Sequence, residues 1–229
     1  MLYILLNNFY KRWGFRMSRP TEVAYQFIRQ KIMDGTFMPS QKLVESELSE
    51  LIGVSRNTIK KALLKLEQEN LVNLEENKGA TIKSFTLDEI INYLEIREVL
   101  EGLIAKSAAL NISDAKLLQL EETVEKMKEH LDSNRFDEYS KCNLLFHNII
   151  YESSTNSQAV DMVNKIKTQL QRLRIKTILV PGRTHESFKE HQKILNALKA
   201  KDEKWAEDAV KFHVANVRQT IVEHYSYLV

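Results

Sequence analysis

A tight turn between two short apolar stripes constrains the fold of this chain more than any other feature. The segments from Glu47 to Leu51 and from Ile59 to Leu66 carry apolar side chains at helical spacing, and Gly53-Val54-Ser55 separates them. Gly53 predicts the stop of the first helix, because glycine tolerates the left-handed conformation that ends many helices. Ser46 and Ser55 are the predicted N-caps of the two helices. The pattern is typical of a helix-turn-helix.

The segments on either side of this pair predict the rest of a small domain. Before it, apolar residues recur at three- and four-residue intervals from Thr21 to Met33 and indicate another helix. After it, the segments Leu71 to Leu74 and Ala80 to Lys83 flank a polar, glycine-containing stretch, which favours a β-hairpin. Three helices followed by a hairpin predict a winged helix-turn-helix domain over residues 18–84.

The remaining residues, 85–229, predict a helical bundle. The chain has only six Gly and three Pro, and 43% of its residues are hydrophobic, so it can bury a core with few interruptions. The fold class is therefore mainly α, with the winged domain followed by an antiparallel all-α bundle. A single cysteine, Cys142, excludes an internal disulfide framework and suits a cytoplasmic protein. Apolar stripes predict helices over about 86–110, 113–132, 135–153, 157–180, 183–200 and 203–226.

The first seventeen residues require a separate interpretation. Their apolar run is far shorter than the roughly 20 residues that span a bilayer. Basic residues follow this run instead of preceding it, and no small-residue cleavage site is present, which argues against a secretory signal. Residues 1–17 are therefore interpreted as a disordered arm or an upstream-start extension, since Met17 could be the true start. An amphipathic contact with a membrane or a partner is the alternative.

Charge is distributed unevenly between the two predicted parts. Residues 1–83 contain thirteen Lys and Arg against nine Asp and Glu, whereas the remainder contains twenty against twenty-two. This asymmetry favours a nucleic-acid-binding head on a regulatory body. The third helix supports that interpretation, because its first turns present basic and amide side chains where a recognition helix enters the major groove. The predicted DNA-binding residues are Arg56, Asn57, Thr58, Lys60 and Lys61, with Lys78 and Gly79 at the hairpin tip.

The segment DGTFMPSQKLVESELSELIGVSRNTIKKALLKLEQENLV closely resembles the N-terminal domain of the GntR family of bacterial transcriptional regulators. The resemblance covers residues 21–83. Arg56 matches the family pattern, whereas Ser40, Lys60 and Lys61 stand where the family usually has Gly, Arg and Glu. The resemblance implies a homodimer that binds a short palindromic operator, more often as a repressor than as an activator. The departure at Lys60 implies a relaxed base preference there.

Histidines of the second part suggest a metal site. Asn143 and His147 are four residues apart and therefore share one face of a predicted helix, while His191 and His213 lie on two later helices. Facing helices of a bundle can bring such ligands to one interior ion. Three imidazoles and one oxygen suit Zn, Ni, Co or Mn and leave an exchangeable position for an effector. Spacing alone leaves open that each histidine is an ordinary buried polar residue.

The second part resembles the effector-binding FCD domain of the FadR-type branch of the same family. The matching stretches are EIREVLEGLIAKSAA, NLLFHNII, KEHQKILNALKAKD and the last helix with His213. The resemblance implies that Asn143, His147, His191 and His213 bind a divalent metal. Asn143 stands where many members have Asp, which predicts weaker affinity for hard cations. The alternative is a pocket that binds an organic effector without metal.

Arg97 and Tyr139 are the predicted effector-binding residues. The resemblance places Arg97 at the pocket, where a guanidinium could pair with a carboxylate effector. The alternative is a salt bridge to Glu101, four residues later on the same helix. Tyr139 lies one turn before the predicted metal ligands, and Arg172 and Arg174 are weaker candidates.

These observations predict a ligand-responsive transcriptional regulator that is not an enzyme. The rival from another class is a metal-dependent hydrolase or oxygenase, because three imidazoles and an open position can activate water. No general-base motif accompanies these histidines, and a basic winged domain would be superfluous in such an enzyme. A third alternative is an architectural DNA-binding protein without an effector, which predicts a sealed bundle.

Overall fold

The computed structural model describes residues 20–75, 79–171 and 176–228. These residues form two compact units that divide between Phe85 and Thr86. We call the first unit the head and the second the body. The prediction for residues 1–17, the hairpin tip with Lys78, and the weaker candidates Arg172 and Arg174 lie outside the described residues.

The head contains three helices and a small antiparallel sheet. The strand order is β1-β3-β2, with Lys42 opposite Thr81 and Val72 opposite Ile82. Helix α1 packs on α3, and the apolar stripes of the three helices close a core around residues such as Ile28, Leu63 and Leu66, which are fully buried. The elements are α1 Pro20–Met33, β1 Lys42–Leu43, α2 Glu45–Ile52, α3 Arg56–Gln68, β2 Val72–Glu75 and β3 Gly79–Ile82.

The winged helix-turn-helix prediction is confirmed, with two local differences. Helix α2 starts at Glu45, so Ser46 lies inside the helix and is not its cap. The reason is that β1, which the sequence did not reveal, runs almost directly into α2. A two-residue strand is too short to show an alternating pattern. Gly53 does end α2 in the left-handed conformation, with φ of 79°.

The body consists of six described helices. Thr86 and Glu89 form a capping box at the start of α4, and Ser113 caps α5. The predicted helix over 157–180 is wrong in its length, since α7 ends at Gln169. Leu170 leaves the helical conformation, with ψ of 8°, and residues 171, 176 and 177 are again helical, so the predicted stretch is interrupted. The helices are α4 Leu87–Asn111, α5 Asp114–Asp132, α6 Phe136–Ser153, α7 Ser157–Gln169, α8 Arg183–Lys199 and α9 Glu203–Leu228.

Helices α4 and α9 form the most extensive helix pair of the body. They run antiparallel, because Arg218 of α9 pairs with Glu95 of α4 while Glu203 approaches Lys106 at the other end. Helices α6 and α8 pack beside them, and the apolar residues of all four helices share one core. Polar side chains at one side of this core form the candidate site. No described helix combines the length and hydropathy that a membrane crossing requires.

Candidate metal and effector site

Three histidines from three different helices converge inside the body. His147 of α6, His191 of α8 and His213 of α9 are each at most 5% exposed. Their ligand nitrogens all lie within 4.8 Å of one another. The Nε2 atoms of His147 and His191 are 3.3 Å apart. Two nitrogens bound to one tetrahedral ion at about 2.0–2.1 Å would be separated by about 3.3–3.4 Å, so this pair has the spacing of two metal ligands.

Hydrogen bonds outside the cluster orient two of the rings. The Nδ1 of His191 is 2.5 Å from the carbonyl oxygen of Ser187, and the Nδ1 of His213 is 2.7 Å from Glu190 Oε2. Because both partners only accept, each Nδ1 carries the proton and donates it. In the neutral rings each Nε2 therefore keeps its lone pair for a ligand bond, as is typical of histidines at metal sites.

Burial keeps two of these imidazoles neutral. Loss of solvation, together with the nearby His213, lowers the pKa of His191 to about 3. Burial also places the pKa of His147 well below its usual value, with a further contribution from Lys167. Neutral imidazole is the form that binds a metal, since protonation removes the lone pair. The cluster can therefore bind a cation at neutral pH without first losing protons from these two rings.

Asn143 supplies an unsatisfied oxygen beside the cluster. Its Oδ1 is buried and has no hydrogen-bond partner among the described residues. An unpaired buried carbonyl lowers the stability of the fold by about 1–3 kcal/mol, so a ligand that pairs with this atom would be stabilising. Asn143 lies one helical turn before His147, and both residues line the same cavity. The donor set of three imidazoles and one amide oxygen fits a divalent transition metal.

The cavity at this site has a volume of about 40 Å³. That volume holds an ion with a few waters or a very small ligand, since one water occupies about 10–15 Å³ on this scale. Ten of its twelve lining residues have polar or charged side chains: Arg97, Tyr139, Asn143, His147, Lys167, Thr177, Arg183, Thr184, Ser187 and His213.

The two predicted effector residues both reach this wall. Tyr139 is 1% exposed, its hydroxyl donates to the carbonyl of Thr184 at 3.4 Å, and burial raises its pKa to about 12. Arg97 is hydrogen-bonded to Glu101, so the alternative salt bridge that the four-residue spacing predicted is present. Although burial favours the neutral acid, the guanidinium lowers the pKa of Glu101. Arg97 thus lines the cavity and pairs with a carboxylate at the same time.

Sequence reasoning missed a second carboxylate that organises the site. Glu190 is 5% exposed and accepts hydrogen bonds from Arg183, His213 and Asn216. Burial opposes its ionisation, yet the bond from His213 and the charge of Arg183 lower its pKa to about 2. One signal was available, because Arg183 and Glu190 are seven residues apart and so share a helix face.

The predicted recognition residues lie together at the start of α3. Ser55 caps this helix by accepting a hydrogen bond from the Thr58 amide at 3.2 Å. Thr58 is half-buried, and its hydroxyl is 2.8 Å from that of Ser55, so it takes part in the cap. The other four predicted residues of this helix are exposed: Arg56, Asn57, Lys60 and Lys61.

Gly79 begins β3 beside the recognition helix. Its φ is 93°, and a Cβ at this position would lie 2.5 Å from the carbonyl oxygen of Leu43. The glycine is therefore needed for the approach of β1 to β3, apart from any contact with DNA. Gly79, Arg56 and Lys60 all line a groove between α3 and the sheet.

Comparisons with known proteins agree with both units. Residues 20–82 match the family model described as "Bacterial regulatory proteins, gntR family", and residues 92–216 match the FCD domain. A relative in Haemophilus influenzae, the Uxu operon regulator, is 30% identical over 219 residues, covering 86% of this chain and 80% of that protein. The uncharacterised HTH-type transcriptional regulator YdhC of Bacillus subtilis is 26% identical, covering 87% and 91%.

A solved structure shows the same fold. Escherichia coli McbR/YncC superposes with a TM-score of 0.70 at 21% identity, over 93% of this chain and 98% of that one. GntR regulators bind operator DNA, and FCD domains bind small-molecule effectors and can hold metal. The chain therefore belongs to the gntR family of bacterial regulatory proteins, with an FCD domain as its body, and is a ligand-responsive, DNA-binding transcriptional regulator and not an enzyme.

Proposed function

We propose that this regulator is a cytoplasmic, homodimeric repressor whose body holds a divalent metal and a small anionic effector in one cavity. The observation that carries the metal proposal is the orientation of the histidines. Two of them, His191 and His213, direct their proton-bearing Nδ1 atoms to fixed acceptors, and the Nε2 atoms of His147 and His191 face each other at 3.3 Å. The free lone pair of His191 Nε2 thus points to a position that a metal ion shared with His147 would occupy.

The proposed ligands are Asn143, His147, His191 and His213. A bound ion would satisfy the otherwise unpaired Oδ1 of Asn143. It would supply a Lewis-acidic position that an anionic effector can reach. The amide oxygen carries no charge, so the site favours borderline ions such as Zn, Ni or Co over harder Mn.

An anionic effector suits the charge of the cavity wall. Three cationic side chains, Arg97, Lys167 and Arg183, face two carboxylates, Glu101 and Glu190. The net charge of these five side chains is positive even before an ion is added. Arg97 and Tyr139 are the proposed effector contacts, because a guanidinium and a phenol together can bind both oxygens of a carboxylate. The cavity volume of about 40 Å³ favours a very small acid or an adjustment of the wall around a larger one.

Metal binding is tested by equilibrium dialysis against Zn and Mn, with elemental analysis of the protein. His191→Ala should abolish stoichiometric metal, whereas His185→Ala, an exposed control two turns earlier on the same helix, should retain it. Asn143→Asp should tighten binding, with a larger gain for Mn, because a carboxylate suits the harder ion. If neither the natural protein nor Asn143→Asp holds metal, the cavity takes an organic ligand alone, and Arg97 becomes the residue to test.

The proposed DNA contacts are the exposed residues at the start of α3, with Thr58, Lys78 and Gly79 as further candidates. Arg56 is proposed to form two hydrogen bonds with a guanine. Arg56→Ala should then cost about 1–3 kcal/mol on a sequence selected from a random duplex pool, with a smaller loss on scrambled DNA. Lys65→Ala provides the control, since this side chain lies in the last turn of α3 and pairs with Glu22 at 2.7 Å. Equal losses on both DNAs would show that Arg56 contacts only phosphate.

In this mechanism the effector acts by differential binding. A ligand in the body changes DNA affinity only to the extent that it binds better to one arrangement of the dimer than to the other. A repressor of this kind would release its operator when the effector favours the arrangement that fits DNA less well. Fluorescence anisotropy of a labelled operator, titrated with small carboxylic acids in the presence of Zn, measures this coupling.

A further inference from the structure

Glu101 of α4 has a buried carboxylate oxygen without a hydrogen-bond partner. The residue is 1% exposed, and its Oε1 accepts a hydrogen bond from Arg97 Nε. Its Oε2 accepts none from the described residues. Buried polar atoms are paired in the great majority of cases, because a bond that is not made in the interior is not replaced by one to water. The unpaired oxygen therefore indicates that a donor reaches it in another state of the site.

The imidazole of His147 can offer a donor to this oxygen. Its Nδ1 lies 3.7 Å from Glu101 Oε2. A hydrogen bond from nitrogen to a carboxylate measures about 2.7–2.9 Å, so the two atoms must approach by about 1 Å. Small rotations of both side chains can share that distance while α4 and α6 keep their places. The pair is thus one side-chain adjustment away from a hydrogen bond.

His147 has one ring proton to share between two acceptors. The ring is neutral because burial places its pKa well below the usual value. The Nε2 of His191 lies 3.3 Å from His147 Nε2 and has a free lone pair, since the proton of His191 is on Nδ1. The proton of His147 can therefore bond to His191 from Nε2 or to Glu101 from Nδ1. Only the second form leaves Nε2 of His147 free to bind a metal ion.

We propose that Glu101 is the positioning residue of His147. Its Oε2 accepts the Nδ1 proton and so keeps the Nε2 lone pair directed at the position that His147 and His191 share. This inference rests on the metal site of the proposed function and adds a residue that supports the site without being one of its ligands. Outer partners of this kind fix the ring orientation of metal-binding histidines.

The same carboxylate also holds Arg97, the proposed effector contact. One side chain therefore supports both the ring that would bind the ion and the guanidinium that would bind the effector. Glutamine at position 101 cannot do both, because its single carbonyl oxygen must face the Arg97 donor and its amide hydrogens then face His147. Such an amide would donate to Nδ1, move the ring proton to Nε2 and block the lone pair that binds metal.

NMR of metal-free protein, isotope-labelled at the histidine nitrogens, tests the position of this proton. The His147 signals are assigned by their loss in His147→Ala. The fraction of His147 with its proton on Nδ1 should be large in the natural protein and close to zero in Glu101→Gln. Glu98→Gln is the matched control, because Glu98 lies on the same helix, is 25% exposed and pairs with Arg218 at 3.1 Å. Equal fractions in the natural protein and Glu101→Gln would overturn the proposal.

Zinc affinity, measured by competition with a chromophoric chelator, tests the consequence for the ion. Glu101→Gln should bind Zn about 10–100-fold more weakly than the natural protein, and Glu98→Gln should bind it equally well. A natural protein that binds no Zn refutes the metal site itself, and this inference with it. Zn bound equally by the natural protein and Glu101→Gln refutes only the role of Glu101.

A second variant covers the case in which Glu101→Gln does not fold. The double change Arg97→Met and Glu101→Leu removes both charges of the buried pair, so that no guanidinium is left without a partner. It also leaves no acceptor at position 101. The proton of His147 should again lie on Nε2, and Zn should again bind about 10–100-fold more weakly. An Nδ1 proton together with natural Zn affinity in this variant would overturn the proposal.

Discussion

Replacement of Glu190 by glutamine is the most informative test of how the site is held together. The carboxylate is 5% exposed and accepts from four donors: Arg183 Nη1 at 3.2 Å and Nη2 at 2.8 Å, His213 Nδ1 at 2.7 Å and Asn216 Nδ2 at 2.8 Å. Glutamine keeps the shape of the side chain but offers only one oxygen. Its amide hydrogens must therefore face two of the four donors.

The expected loss of stability follows from the buried charge that remains after the substitution. Arg183 is only 9% exposed, so the substitution leaves a guanidinium in the protein interior without a carboxylate partner. Removal of one partner of a buried ion pair costs about 3–5 kcal/mol. Glutamine retains some hydrogen bonds, so we expect the free energy of unfolding to fall by about 3 kcal/mol. For a unit of this size that corresponds to a fall in melting temperature of about 6–12 °C.

Differential scanning calorimetry with a chelator present measures this loss without a contribution from bound metal. Glu186→Gln is the matched control, because Glu186 lies one turn earlier on α8 and pairs with Lys189 at 2.8 Å, but is 62% exposed. A surface pair of this kind contributes about 0–1 kcal/mol. If both variants melt at the same temperature, Glu190 does not organise the site as described.

Two further predictions concern the head. Gly79→Ala should lower the melting temperature of the head by several degrees, because the added Cβ would lie 2.5 Å from the Leu43 carbonyl oxygen. Gly182→Ala is the control for backbone strain alone, because Gly182 has a φ of 79° but open space around it. Ser55→Ala should destabilise the head by about 1 kcal/mol in urea unfolding, because the Thr58 amide loses its cap, and an unchanged midpoint would contradict that role.

Local chemistry explains why the head could be predicted from its sequence. Gly53 and Ser55 mark the turn through properties of single residues, a left-handed backbone and a side-chain cap. The hairpin is bounded by polar residues and a glycine. Strand β1 escaped prediction because its partner, β3, lies almost forty residues later, and only that pairing makes Lys42 and Leu43 a strand.

The candidate site depends on spatial distances between residues that are far apart in the chain, and no local sequence pattern encodes such distances. His147, His191 and His213 are separated by 44 and 22 residues, and only the packing of α6, α8 and α9 brings them together. The family resemblance had implied that these three histidines bind the same ion. It gave no role to Glu190, although this residue stands beside His191 in the chain, because its partners come from both α8 and α9.

The connection between the two units is only three residues long, from Lys83 to Phe85, before the capping box at Thr86 starts α4. Three residues of extended chain reach about 10 Å. In a dimer, such a short tether keeps the local concentration of the second head high once the first has bound its half-site. A regulator built in this way should be intolerant of changes in operator spacing, since one added base pair both lengthens and rotates the gap that the tethers must span.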